Sequence, residues 1–377
     1  ALCTGTMGTA LASPLFPLYQ QAWDLLPSQI TYIFITYMLG VMACLLVLGK
    51  LTDTLGYPRV LRLALIVMLL GLLASAVAPY AWVLGASRIL IGIACGLVTS
   101  SATVAMTLLE PSGDRVRAVR LYSVTCIFGF GAGPLLSGVL AQWLPWPLIT
   151  PYVPSIVMCV VAWLGLAVLP KAAGNGQKVS LKPVFTMLEG DQRGVFWLAS
   201  MGAFSAFSMF SLYAALAPSV VKEMLHWEGP IISGMILSVI LLLSGVMPFL
   251  VKGLQPKQCY WSGVSCLALG MVLLAEFAFS QHLFGLMSSA VAIGLGHGLT
   301  LFASMTLLQQ RCTDSNRAGV MSAYLCVAYI GTIVPILGVG WLADHFGLAV
   351  ALLAYCAGML LLCVALLWSV WRPFRGI

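Results

Sequence analysis

Apolar stretches of roughly twenty residues alternate along this chain with short polar, turn-forming segments. An α-helix needs about 20 apolar residues to cross the hydrocarbon core of a bilayer. Read on that scale, the pattern predicts twelve spans, over 2–23, 29–50, 60–78, 81–108, 118–141, 149–169, 195–219, 229–250, 258–280, 282–308, 318–342 and 347–371. The one long polar connection is 170–194. Its Ala172-Ala173-Gly174-Asn175-Gly176-Gln177 centre is flanked by Lys171, Lys178, Lys182 and Arg193. The expected fold is therefore all-α and polytopic. Twelve transmembrane helices form a six-helix bundle at 1–169 and a second, pseudo-symmetric one at 195–377, joined by the linker 170–194.

Composition removes the soluble alternatives. Of 377 residues, 61% are hydrophobic and 8% charged, more apolar surface than a water-soluble fold can bury. The net charge of +7 is read by its distribution across loops, not as a sign of nucleic-acid binding. With the first span starting inside, sixteen of the eighteen Lys and Arg fall on the cytoplasmic side; the other two are Lys222 and Arg88. The positive-inside rule thus places both termini in the cytoplasm. Trp residues gather near both predicted interfaces as an aromatic belt. No charged n-region precedes the first apolar run, so no signal peptide is expected. Eleven scattered Cys read as small core residues, with no metal-ligand spacing.

The halves repeat weakly. Asp114-x-x-Arg117-Ala118 enters span five and Asp314-x-x-Arg317-Ala318 enters span eleven. Gly138-Val-Leu-Ala-Gln142 is echoed by Gly340-Trp-Leu-Ala-Asp344, and Pro134 by Pro335. Two copies of one helical unit are a transporter design.

Several residues stand out chemically. Arg88 lies within span four, where an arginine costs roughly 2.5–3.5 kcal/mol on insertion scales and needs a wet cavity or a partner. Gly92 and Gly96 follow at intervals of four and share its helix face. The competing reading of Arg88 is a side chain snorkelling to the outer interface. Span five carries Gly129, Gly131, Gly133, Pro134 and Gly138, which permit close packing and a bend. His297, between Gly296 and Gly298 in span ten, is suited to carry a proton or bind a solute group; a neutral, hydrogen-bonded imidazole is the alternative. Phe204, Phe207, Ser208 and Ser211 share one face of span seven. They line a cavity or, in the plainer reading, contact lipid. Tyr19 and Tyr37 are further cavity-lining candidates. Pro14 and Pro17 predict a broken first span. Glu110 is a candidate partner of the loop after span two. No catalytic constellation appears, so no enzyme is expected.

That loop, Gly49-Lys50-Leu51-Thr52-Asp53-Thr54-Leu55-Gly56-Tyr57-Pro58-Arg59, resembles the signature loop of the major facilitator superfamily. Gly49, Leu51, Asp53, Gly56 and Arg59 fill its Gly-x-Leu-x-Asp-x-x-Gly-basic pattern; Pro58 is a departure. The resemblance implies a two-bundle carrier that opens to each side of the membrane in turn. Asp53, Arg59 and Arg317 would form a cytoplasmic latch. Arg88-x-x-x-Gly92 resembles the family's fourth-helix motif, linked to proton coupling or substrate anions. The span-five glycines resemble its antiporter motif. By the same resemblance, spans one, four, seven and ten line the central cavity, so Arg88 and His297 would contact solute or protons there. Span one lacks the embedded acid of several multidrug exporters in the family.

The expected function is secondary active transport of a small organic solute in a bacterial inner membrane, as proton-coupled efflux by antiport. Proton-driven uptake of an organic anion and a non-transporting receptor or scaffold are the alternatives. The expected partners are solute, protons and lipid, with the proton gradient as energy source, no cofactor, no metal, no nucleic acid and a monomeric state.

Overall fold

The computed structural model describes residues 1–48, 51–166, 186–188, 190–227, 229–251, 253–313 and 316–371, with backbone alone at 53, 115–116, 191, 318 and 370–371. Among them, regular structure is helical throughout. The first span is broken: α1 (Leu2–Ala10) passes through a 3-10 turn at Ser13–Leu15 into α2 (Phe16–Trp23). Pro14 and Pro17 lack the N–H groups a continuous helix would need there. Next come α3 (Pro27–Val47), the short α4 (Leu51–Leu55), α5 (Tyr57–Ala76), α6 (Ala81–Leu109) and α7 (Arg115–Trp143). A 3-10 turn at Thr150–Tyr152 opens α8 (Val153–Gly165). The remaining helices are α9 (Arg193–Met224), α10 (Ile231–Leu250), α11 (Pro256–Ser280), α12 (Leu283–Gln309), α13 (Arg317–Phe346) and α14 (Leu348–Trp371).

Ten of these helices are long and apolar enough to cross a membrane, among the described residues. The other two predicted spans are the proline-broken first one and Thr150–Gly165, beyond which residues 167–185 lie outside the described ones. Turn chemistry sets the boundaries. Pro27, Pro58 and Pro256 sit in first turns, where a missing N–H costs nothing. Gly56, at φ +80°, supplies the left-handed step between α4 and α5 that a side chain would resist.

The chain forms two compact units. The first comprises Ala1–Leu25, Tyr32–Pro183 and Gly229–Ser238; the second, Leu26–Thr31, Val184–Glu228 and Val239–Ile377. In lipid there is little hydrophobic drive between helices, so contact depends on close van der Waals approach, which small residues allow. In the first unit, Gly40 of α3 lies on the Ile89 carbonyl, and Gly92 of α6 on the Tyr37 carbonyl. A methyl added at Gly96 would meet Cys44 Sγ at 2.7 Å. Gly129 and Gly133 of α7 press on Thr6 and the Met7 carbonyl of α1. The first turns of α10 seat on α7: a methyl on Gly234 would lie 2.5 Å from the Pro134 carbonyl, and Ser238 Oγ donates to the Gly131 carbonyl at 2.7 Å.

The second unit is built the same way. Gly296 of α12 abuts the Leu267 backbone of α11, Gly294 and Gly298 abut α10, and Gly331 of α13 abuts Phe204. Gly340 lies under the first turn of α3, and Asp344 Oδ1 accepts the Ser28 N–H at 3.1 Å. The sequence repeat is thus a packing repeat. Gly340 and Asp344 grip the start of α3, and Gly138 and Gln142 lie against Pro230 and Gly229 at the start of α10.

Gly92→Ala is expected to destabilise the protein by about 1–3 kcal/mol, because helix backbones must part to admit the methyl. Gly358→Ala, where an added methyl meets nothing within 4 Å, should be neutral or stabilising by about 0.5–1 kcal/mol. Thermal unfolding in detergent compares the two; equal melting temperatures would contradict the packing argument.

Candidate functional site

Arg88 is the most conspicuous polar side chain of the first unit. It is 1% exposed, in the middle of apolar helices. Its Nη1 donates to the Thr9 carbonyl at 2.7 Å, and its guanidinium carbon lies 4.9 Å from the Tyr37 ring centroid. Thr9 belongs to the last turn of α1, whose carbonyls have no intrahelical donors because the helix stops at Ala10. The broken span and the buried arginine are therefore one feature: the break exposes a carbonyl, at the negative end of a helix dipole, and the guanidinium takes it. Magnitudes show why this is tolerated. A hydrogen bond to a charged group contributes about 1.5–3 kcal/mol, and a desolvated cation–π contact about 2 kcal/mol. Together, at about 3.5–5 kcal/mol, they are enough to offset the roughly 2.5–3.5 kcal/mol insertion cost.

Around this group stand phenols. Tyr19 and Tyr152 hydroxyls meet at 3.1 Å, and Tyr19 also donates to the Ser75 carbonyl at 3.4 Å. Tyr152, Tyr37 and Tyr19 are all within electrostatic reach of the guanidinium. No carboxylate bonds to Arg88 among the described residues, and its Nε has no hydrogen bond. A fixed positive charge edged by phenols, with no carboxylate on it among the described residues, suits an anionic or electron-rich group.

In the second unit, His297 on α12 is 7% exposed. Its Nδ1 lies 2.7 Å from Ser244 Oγ on α10. Phe210 and Phe207 of α9 flank the ring at centroid distances of 5.7 and 5.8 Å, and Tyr329 meets Phe207 edge-on at 5.5 Å. The span-seven face divides. Phe207 faces the imidazole, Phe204 lies under Gly331, Ser208 Oγ meets Tyr355 OH of α14 at 2.8 Å, and Ser211 donates back to the Phe207 carbonyl at 2.7 Å.

Of the latch residues, Gly49 and the Asp53 side chain lie outside the described residues. Gly56 makes the turn into α5, Arg59 is exposed on the first turn of α5, and Arg317 is exposed at the start of α13. The short α4 is tied to α6 by Thr52 Oγ1 and Ser101 Oγ at 2.8 Å. Glu110 is bound within its own loop. Ser112 Oγ donates to it at 2.7 Å and the Asp114 N–H at 2.9 Å, while Arg117 lies 3.6 Å from its other oxygen. The Ser112 hydrogen bond leads in holding its carboxyl below the usual carboxylate range.

Sequence reading missed Thr9, Tyr152, Ser244 and the Thr52–Ser101 tie. The proline break pointed to free carbonyls in span one, but nothing local said which residue would use them. Ser244 gave no signal, being one serine among several in apolar helices.

The description "Major Facilitator Superfamily" fits residues 1–335 of this chain. The multidrug efflux protein YfmO of Bacillus subtilis is 23% identical over 90% of this chain and 84% of its own length. The class C tetracycline resistance protein of Escherichia coli is 25% identical over 80% of this chain and 76% of its own. The riboflavin transporter RibZ of Clostridioides difficile is 25% identical over 41% of this chain, a match spanning only 33% of that relative. Among solved structures, the inward-open xylose transporter XylE of E. coli superposes with a TM-score of 0.76 at 14% identity, covering 100% of this chain and 95% of that one. The nucleoside transporter NupG (D323A mutant) gives 0.76 at 12% identity, with 98% of each chain covered.

Arg88→Lys keeps the charge but loses the planar fork and its fit to the Tyr37 face. It is expected to lower stability by about 1–2 kcal/mol, read as a lower melting temperature in detergent. For Glu110 the sign is that of a depressed carboxylate: its contribution is full above the ordinary pKa of 4.5 and fades as pH falls through the lower folded value. Exchange protection of the Asp114 amide, corrected for intrinsic rate, should fall in acid and be lost at neutral pH in Glu110→Ala.

Proposed function

The chain belongs to the major facilitator superfamily of secondary transporters, and on that premise we propose that it exports a small organic solute in exchange for protons. The observation that carries export is the α7 seam. Gly129 and Gly133 lie against α1, and Pro134 and Gly138 lie against α10, the residues that resemble the family's antiporter motif. Two relatives matched over most of their length, named for multidrug efflux and tetracycline resistance, support the same direction. The solute is an organic molecule with aromatic surface. Arg88 supplies a fixed charge for its anionic or electron-rich group, and His297, flanked by Phe207 and Phe210, supplies a titratable contact. The Asp53–Arg59–Arg317 latch holds one side closed while the other is open. The membrane is the bacterial inner membrane, with both termini cytoplasmic.

A second reading is favoured by one observation: a buried guanidinium without a carboxylate partner among the described residues suits proton-driven uptake of an organic anion. Flux in oriented proteoliposomes under an imposed pH gradient separates the two, with tetracycline and riboflavin as probes. Under export the probe moves against the proton flow and stops when a protonophore is added. Movement with the protons overturns export. Asp53→Asn should reduce transport roughly 10–100-fold at unchanged protein level, the scale of a lost charge-assisted contact of about 1.5–3 kcal/mol. Wild-type rates in that variant would remove the latch.

A further inference from the structure

His297 is flanked by phenylalanine rings and hydrogen-bonded to one hydroxyl among the described residues. From α9 it meets Phe207 and Phe210, and from α10 Ser244; Tyr329 of α13 meets Phe207 edge-on. No charged side chain acts on the imidazole among the described residues. Ser244 reaches it because α10 and α12 approach closely. Methyls added at Gly294 would lie 3.0 Å from the Ile240 Cα, and at Gly298 2.8 Å from the Ser244 Cα, so glycines on both sides of His297 draw the serine in.

Resting on the reading of His297 as a titratable contact, we infer that Ser244 is its positioning residue. A hydroxyl both donates and accepts. It donates to Nδ1 when the imidazole is neutral, placing the ring proton on Nε2. By rotating, it accepts from Nδ1–H when the ring is protonated. The ring therefore keeps one orientation through a protonation cycle: Nε2 keeps its proton in both states, and Nδ1, which faces the Ser244 hydroxyl, is the atom that gains and loses one. An alanine or valine at 244 would leave a buried Nδ1 unpaired in both states.

The chain has four histidines, so replacing His226, His282 and His345 with Gln leaves His297 as the single imidazole. Nitrogen-15 NMR of that full-length protein in nanodiscs reports its tautomer and protonation midpoint. With Ser244 present, one tautomer with Nε2–H is expected in the neutral form. Ser244→Ala should give a mixture of tautomers. Because a hydrogen bond to the charged ring is stronger than one to the neutral ring, its midpoint should move toward acid by about 0.5–1 pH unit. Ser244→Thr should restore both. The pH profile of tetracycline flux in proteoliposomes should shift with the midpoint. Mixed tautomers in the protein that retains Ser244, or an unchanged midpoint in Ser244→Ala, overturns the inference. A His297→Gln variant that keeps the wild-type pH profile instead defeats the functional reading of His297, while the NMR result continues to decide the role of Ser244.

Discussion

The first unit is arranged around a positive charge that cannot be given up. A guanidinium stays protonated, so burying it obliges the surroundings to supply acceptors. They come from an interrupted helix and an aromatic face rather than from an acid: the Thr9 carbonyl and Tyr37 hold the charge. The end of α1 at Ala10, where the first span breaks, is what frees the carbonyl. Helix ends brought to membrane depth are a recurrent way for carriers to place ionic groups.

A second constraint is the absence of a hydrophobic drive between helices in lipid. Glycine is used where backbones touch: Gly92 on Tyr37, Gly133 on Met7, Gly298 on Ser244. The glycines also determine chemistry. The α3–α6 contact at Gly92 brings the Tyr37 ring to Arg88, and the α10–α12 contact at Gly298 brings Ser244 to His297. A packing residue one or two turns from a polar side chain sets which hydroxyl or ring that side chain meets.

The two polar centres differ in kind. Arg88 is permanently charged and backed by phenols; His297 is an imidazole flanked by Phe207 and Phe210. One centre lies in each of the two units. The gripping residues differ as well, an acid at Asp344 and an amide at Gln142.

Much of this was readable from residue order. Run lengths fixed the number of spans, because bilayer thickness leaves one helix length to choose. Pro14 and Pro17 announced the break in the first span, since a missing N–H acts locally. The loop motif and the span-five glycines pointed to the family. Tertiary structure alone decided which groups meet. That Arg88 uses Thr9, 79 positions away, and that His297 uses Ser244, 53 away, depends on helix rotation and approach. Those are set by many weak contacts at once, and no single stretch of sequence encodes them.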